Sequence, residues 1–263
     1  MSGLLRKIQK EELAILKELD RVCKANHIQY YLGQGTLLGA AKYQGFIPWD
    51  DDIDLLVPYD ALQRLMHVFP EQANEQYIIT NHTVEKHYPL AWTKIRNTNT
   101  LSRPKRYQNM PINWGICIDL FPIYPVSNFK ILRKLEVFNF KIANKLLLAE
   151  LTKYEDNQNI LIRVLEKIPL CIRHLYVNFS IKLLTLHKNN SRYVLLPCKG
   201  VKTFKRSLIF GKKTLLPFED RAYSVPADYH TYLTLNYGDY MAPLPEAEQK
   251  GHELKMGEIE WKL

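Results

Sequence analysis

Apolar residues alternate with polar ones in two distinct periods along this chain, and the switches between them mark out its elements. Leu4, Ile8, Leu13, Ile15, Leu16, Leu19 and Val22 recur at mostly helical spacing with lysines and glutamates between them. Residues 3–26 are therefore predicted to form an amphipathic helix that serves as scaffold. Ile28–Leu32 reads as a strand, Gly33-Gln34-Gly35-Thr36 as a turn, and Leu37–Lys42 as a helix with Thr36 as its N-cap. Strand, glycine turn and helix in that order aim backbone N–H groups at an anion.

Gly45 is expected to end that helix and Pro48 to open an extended run through Val57. A helix follows near residues 60–69, with Leu62, Leu65, Met66 and Phe69 as its core face, then strands at 77–80 and 90–96. The polar, proline-bearing residues 97–111, with Arg103, Lys105 and Arg106, are expected to form a mobile basic loop. Trp114–Pro122 is strand-like. From Ser127 the period turns helical over 129–151 and 160–187, with Pro169 kinking or dividing the second run. Short strands over 192–220, a helix closed by Tyr237-Gly-Asp-Tyr240 and an extended tail complete the chain.

Composition narrows the class. With 46% hydrophobic and 24% charged residues in 263, the chain is expected to be globular. Four scattered cysteines form no Cys-x-x-Cys pair and are expected to be reduced core residues in a cytoplasmic protein. Met1–Lys10 is basic and polar with no apolar core of a secretory signal. Charged residues interrupt every candidate membrane span. The formal charge of +9 is uneven: residues 127–215 hold 18 Lys/Arg against 5 Asp/Glu. A basic middle fits docking on something anionic, namely a membrane surface, a phosphate-bearing lipid or nucleic acid. Nucleic acid is the weaker partner, because the cations are not interleaved with a recognisable binding module. The helical middle reads first as an ordinary subdomain packed on the sheet, with an interfacial helix as the alternative.

The candidate chemistry centres on Trp49-Asp50-Asp51-Asp52-Ile53-Asp54-Leu55-Leu56-Val57. In extended chain Asp50, Asp52 and Asp54 share one face, while Ile53, Leu55 and Val57 face the core. Adjacent carboxylates repel at low dielectric and tolerate burial only when protonated, hydrated or neutralised. Mg²⁺ (or Mn²⁺), which favours carboxylate and shared phosphate oxygens, is the natural counter-ion. A solvated acidic loop and a helical aspartate-rich motif are the competing readings, and Pro48 with the i, i+2 spacing argues against the second. Asp119, alone in an apolar run, reads as a third carboxylate for that site or as a cap. Lys94 and Arg96 share a strand face and either reach phosphate together or are solvated cations on an edge. His252 is a lone histidine, structural unless the tail returns it to the site.

Gly35-Thr-Leu-Leu-Gly39, Gly45-Phe-Ile-Pro-Trp-Asp-Asp-Asp-Ile-Asp54, Lys94-Ile-Arg96, Gly115–Pro122 and Tyr237-Gly-Asp-Tyr240 together resemble the LicD family of phosphorylcholine transferases, which are related to the fukutin-type transferases. The resemblance spans about residues 13–252 and is weakest in the helical middle. It implies an α/β (α+β) fold built on a mixed sheet: a nucleotidyltransferase-like core over 1–126, a basic helical insertion over 127–190, and a segment over 191–263 that completes the core. By position it implies that Asp52 and Asp54 are a metal pair, Asp119 the third carboxylate, Gly35 and Thr36 the phosphate turn, and Asp50 an extra ligand or base. Lys42, Trp49, Lys94, Arg96 and His252 are the remaining substrate-binding candidates. The chain departs from the pattern at Lys42, where relatives commonly carry arginine, and at Tyr124, where an acidic residue is more usual.

The implied reaction moves a phospho-alcohol, phosphorylcholine first, from a CDP-alcohol donor to a sugar acceptor on a lipid-linked envelope precursor. Peripheral contact with an anionic membrane face would fit the basic middle. Choline calls for an aromatic cage, for which the 16 Tyr and 4 Trp, Trp49 and Trp114 among them, are available. The alternatives are transfer of glycerol or ribitol phosphate, a glycosyltransferase reading Asp52-Ile-Asp54 as Asp-x-Asp, and a non-enzymatic anion-binding adaptor.

Overall fold

A computed structural model describes residues 3–154, 160–187, 191–198, 200–243, 245, 249 and 258–261. The elements in chain order are α1 (Gly3–Ala25), β1 (Tyr31–Leu32), α2 (Gln34–Tyr43), β2 (Asp54–Pro58), α3 (Tyr59–Gln72), β3 (Tyr77–Thr80), β4 (Thr93–Asn97), β5 (Thr100–Arg103) and β6 (Cys117–Val126). They continue as α4 (Lys130–Leu148), α5 (Ile160–Glu166), α6 (Leu170–Thr185), β7 (Tyr193–Leu196), β8 (Lys202–Lys205), α7 (Arg206–Ile209), β9 (Thr214–Phe218), β10 (Arg221–Val225), α8 (Tyr229–Tyr237) and β11 (Glu258–Trp261).

The main sheet is mixed, in the order β1-β2-β6-β4-β3. β2 and β6 run parallel, while β4 runs antiparallel to β6. β6 is ten residues long, and this length lets it serve two groups of neighbours: its first half pairs β2 and β4, and Tyr124–Val126 pairs β7, which in turn carries β8. Pro122 and Pro125 lie within it, each costing the ladder one donor. Leu55, Leu56, Val57, Ile95, Ile118 and Leu120 are fully buried, so the sheet is covered on both faces like a central sheet of an α/β protein. A second apolar cluster joins α4 and α6 to the far end of β6 through Tyr124, Val126, Phe140, Val177 and Ile181. The two helices run antiparallel, as shown by His187 meeting Glu136 at one end and Arg173 donating to the Leu146 carbonyl (3.2 Å) at the other.

Several expectations are corrected. The acidic strand begins only at Asp54; residues 50–53 form an irregular approach whose Asp50 N–H donates to the Ile47 carbonyl at 2.9 Å. Thr36 is not the cap of α2. Gly33 holds that position, and the Thr36 hydroxyl, one turn inside, accepts from the Asp54 backbone N–H at 2.7 Å. The supposed mobile loop carries β5, which pairs with β11, and a 3-10 turn over Lys105–Tyr107 whose Tyr107 ring stacks on Trp114 at 5.9 Å. Cys171 is exposed rather than a core residue. Pro169 does divide the second helical run, standing immediately before α6, where a missing N–H costs nothing.

Candidate functional site

Register alone assembles the centre of the site. Asp54 on β2 is the partner of Asp119 on β6, and Asp119 is the partner of Lys94 on β4. Laterally paired residues point to the same face of a sheet, so three adjacent strands present a carboxylate, a carboxylate and an ammonium in one row. Lys94 forms an ion pair with the Asp119 carboxylate, and the Trp92 indole N–H donates to its other oxygen at 2.9 Å.

The approach loop adds Asp50 and Asp52 to that row. Gln9 on α1 donates to the Asp50 carbonyl at 2.8 Å and so pins the loop from below, while Thr36 pins its end at Asp54. A Cβ on Gly35 would stand 2.8 Å from Asp50 Oδ2, so any side chain there would displace the Asp50 carboxylate. Asp50, Asp52, Asp54 and Asp119 all line one cavity of about 560 Å³, together with Gly35, Trp49, Trp92, Asn144, Cys198 and Tyr237.

Electrostatics follow from this crowding. Burial pushes the Asp54 carboxyl well above the usual carboxylate range, and Asp52, Asp119 and Asp50 push it further, against the opposing charge of Lys94. The same negative field reaches its neighbours. Burial and then Asp52 raise the Glu12 carboxyl on α1, and burial and then Asp54 raise the Tyr237 phenol and hold the Cys198 thiol up at about 12. Burial alone would lower the Lys94 ammonium, but the charges of Asp119 and Cys117 outweigh it and hold its pKa above normal.

The donor set suits a hard divalent cation by charge and by element, since oxygen ligands dominate and more anions face the cavity than Lys94 neutralises. Among the described residues no three His, Cys, Asp or Glu side chains surround a common point. Asp119, with both oxygens held by Lys94 and Trp92, is turned toward its own strand's neighbours instead.

The remaining candidates divide. Gly35 and Trp49 line the cavity. Thr36 lies behind it, buried, its hydroxyl used by Asp54. Lys42 reaches the Ala242 and Tyr240 carbonyls, at 2.5 and 3.4 Å, away from the carboxylates. Arg96 is buried, donates to the Gly115 carbonyl at 3.2 Å and lies 6.0 Å from the Trp114 ring. The structure therefore gives Arg96 to the chain's own backbone and not to a shared phosphate grip with Lys94. His252 falls outside the described residues.

Three contributors escaped the sequence. Trp92, which orients Asp119, was read only as part of a strand. Asn144 on α4 comes from the helical segment read first as an ordinary subdomain packed on the sheet. Gln34 has a positive φ of 41°, is buried, donates to the Tyr232 hydroxyl at 2.5 Å, and keeps its carbonyl oxygen without a partner among the described residues. A non-glycine residue held at positive φ beside a cavity was the available signal in retrospect, but it is a property of the backbone and not of the letter Q.

Residues 27–154, which include the glycine turn, the acidic loop, β4 and β6, match the family described as LicD/FKTN/FKRP, nucleotidyltransferase domain. Over 95% of its length the chain is 29% identical to the lipopolysaccharide cholinephosphotransferase LicD of Haemophilus influenzae, covering 96% of that protein. It is also 32% identical over 66 residues, a quarter of each chain, to an uncharacterized protein of Rickettsia prowazekii.

Proposed function

We propose, from the LicD-family domain that residues 27–154 form, that this protein is a transferase moving phosphorylcholine from CDP-choline to a sugar hydroxyl of a lipid-linked envelope glycan, at the cytoplasmic side. The single observation that carries the reading is the register pair Asp54 and Asp119, opening on the cavity that Asp50 and Asp52 also line, with Lys94 behind Asp119. The relative that matches nearly end to end is a cholinephosphotransferase acting on lipopolysaccharide.

Asp52 and Asp54 would hold Mg²⁺ (or Mn²⁺), with Asp119 held beside them by Lys94 and Trp92, and the ion when bound supplies charge neutralisation for a diphosphate. The chain's own residues do the rest. Gly35, beside the α2 N-terminus, leaves room for phosphate oxygens near backbone N–H groups. Lys94, kept charged by Asp119, adds a cation beside the carboxylate row. Trp49 and Trp92 offer ring faces for the quaternary ammonium. The acceptor hydroxyl attacks the phosphorus that bears choline, its proton passes to a carboxylate, and the bond to CMP breaks in line as CMP leaves with the electron pair. Asp50 and Asp119, which both line the cavity, are the candidate bases.

The purified protein with Mg²⁺ should release CMP from CDP-choline, and neither EDTA-treated protein nor Asp52→Asn should do so. CDP-glycerol and CDP-ribitol serve as competing donors. Release of a nucleoside diphosphate from a nucleotide sugar, with no CMP from any CDP-alcohol, would overturn the assignment in favour of a glycosyltransferase.

A further inference from the structure

The described residues expose twenty large hydrophobic side chains, and thirteen of them lie between residues 129 and 186. They are not scattered. On α4, Ile131, Leu135 and Phe138 follow helical spacing on one outward face, with Ile131 75% and Phe138 62% exposed. On α6 and its C-cap, Ile172, Leu175, Phe179 and Leu186 do the same, with Leu175 70% and Leu186 67% exposed.

The two stripes look in the same direction. On α4 the residues that meet α6 include Glu136 and Asn139, and on α6 the residues that meet α4 include Tyr176, Ser180 and His187. At about 100° per residue, each exposed stripe lies roughly 100° from its own helix's contact residues, in the same rotational sense. In an antiparallel pair, equal sense places both stripes on one side. That side is opposite the buried Phe140, Ala143, Val177 and Ile181, which pack toward the sheet. The outcome is a two-helix apolar floor facing solvent.

Cations rim it. Lys130, Lys134, Lys141 and Lys145 recur on α4 beside the apolar stripe, all exposed, and Lys182 stands next to the stripe on α6. None of these helices is long and apolar enough to cross a bilayer. An apolar face bordered by lysines is the pattern of a helix lying in a membrane interface, where the side chains enter the acyl boundary and the ammonium groups meet phosphates. A second copy of the chain is a poorer fit, because a symmetric contact through this face would bring lysine-rimmed surfaces together.

We infer that the outward face of α4 and α6 docks this protein on an anionic lipid surface. The placement also serves the cavity: Asn144 and Leu148, at the other end of α4, line it, about 9 Å along the helix from Phe138 to Asn144 at 1.5 Å per residue. One helix thus rests on lipid at its first half and walls the carboxylate site at its second.

Sedimentation of the full chain with vesicles tests this. The wild type should pellet with phosphatidylcholine vesicles containing about one third phosphatidylglycerol, at least about tenfold more than with phosphatidylcholine alone, and less at high salt. Leu135→Glu combined with Phe179→Glu should abolish pelleting with the melting temperature unchanged, since both side chains are exposed. Lys134→Glu combined with Lys141→Glu should lower it at least about tenfold and flatten its salt dependence. Leu215→Glu, an exposed apolar position on β9, should leave it intact. No pelleting of the wild type, equal pelleting of the α4/α6 variants, or a dimer in solution that these substitutions split would each overturn the inference. Partition is read without turnover, so failure to bind vesicles and failure to release CMP are separate results.

Discussion

Asp54 and Asp119 stand opposite one another on the parallel strands β2 and β6, with Lys94 as the next partner across β4. The parallel arrangement requires a long crossover between the two aspartates, and that crossover supplies α3, β3 and β4. One strand pairing therefore sets both the spacing of the site's acids and the position of the cation that answers them.

Asp54 should make the metal-free protein less stable at neutral pH. A carboxyl whose folded pKa is raised costs nothing below its unfolded value near 3.9, costs progressively more as pH rises, and costs the full amount above its folded value. Asp54→Asn is expected to raise the melting temperature in EDTA at about pH 7, by roughly 2–4 °C for each kcal/mol of relieved repulsion, and to change it little near pH 3. Mg²⁺ should raise the melting temperature of the wild type more than that of the variant. Scanning calorimetry at both pH values, with and without metal, reads all of this.

Lys94→Met leaves Asp119 facing the other acids with the Trp92 indole N–H still donating to it. Removing one partner of a largely buried pair costs about 3 kcal/mol. Lys94→Arg should recover most of that stability while activity stays reduced, because a guanidinium fork does not reproduce a compact ammonium. A denaturant midpoint restored by arginine together with restored activity would show that only charge matters.

Glu150, just past α4, ties α6 to the loop between β3 and β4: it accepts from Arg173 at 2.7 Å, His87 at 2.7 Å and Lys153 at 2.9 Å. Burial opposes its ionised form, yet these donors lower its pKa overall. Its contribution is thus fully present above the unfolded value near 4.3 and lost as pH falls through the folded value. Arg173→Met should cost about 3 kcal/mol, leaving the buried carboxylate with His87 and Lys153 as donors, a drop of roughly 6–12 °C. Acid unfolding below about pH 4, followed by circular dichroism, should be weaker in Glu150→Gln than in the wild type.

Two glycines should separate function from folding. Gly35→Ala sets a methyl against Asp50 Oδ2, a side-chain atom able to yield, so the expected loss is activity, about tenfold or more, with a small change in stability. Gly39→Ala sets a methyl 2.4 Å from the Gly45 carbonyl oxygen, a backbone atom that cannot yield, so it should destabilise the whole α2 turn. Thermal melts and CMP release measured on both variants distinguish the two.

Periodicity determined much of this protein from its sequence alone. The amphipathic α1, the apolar strand of Leu55 and Val57, the division at Pro169 and the helix closed by Gly238 all follow from local spacing and from residues whose backbone options are few. The crowding of Asp50, Asp52 and Asp54 was equally legible, because like charges set that close demand a partner wherever the chain goes. What only the tertiary structure decided were the relations between distant segments. Arg96 and Lys94 share a strand face in the sequence, yet one is buried against Gly115 and the other faces Asp119, since neighbours on β6 and around Trp114 differ. Thr36 carries the letter of a helix cap, but a strand beside it offered a better donor in Asp54. Trp92, Asn144 and Gln34 joined the site through folding, because a cavity wall is made by whatever surfaces close around it, and that closure has no local period to read.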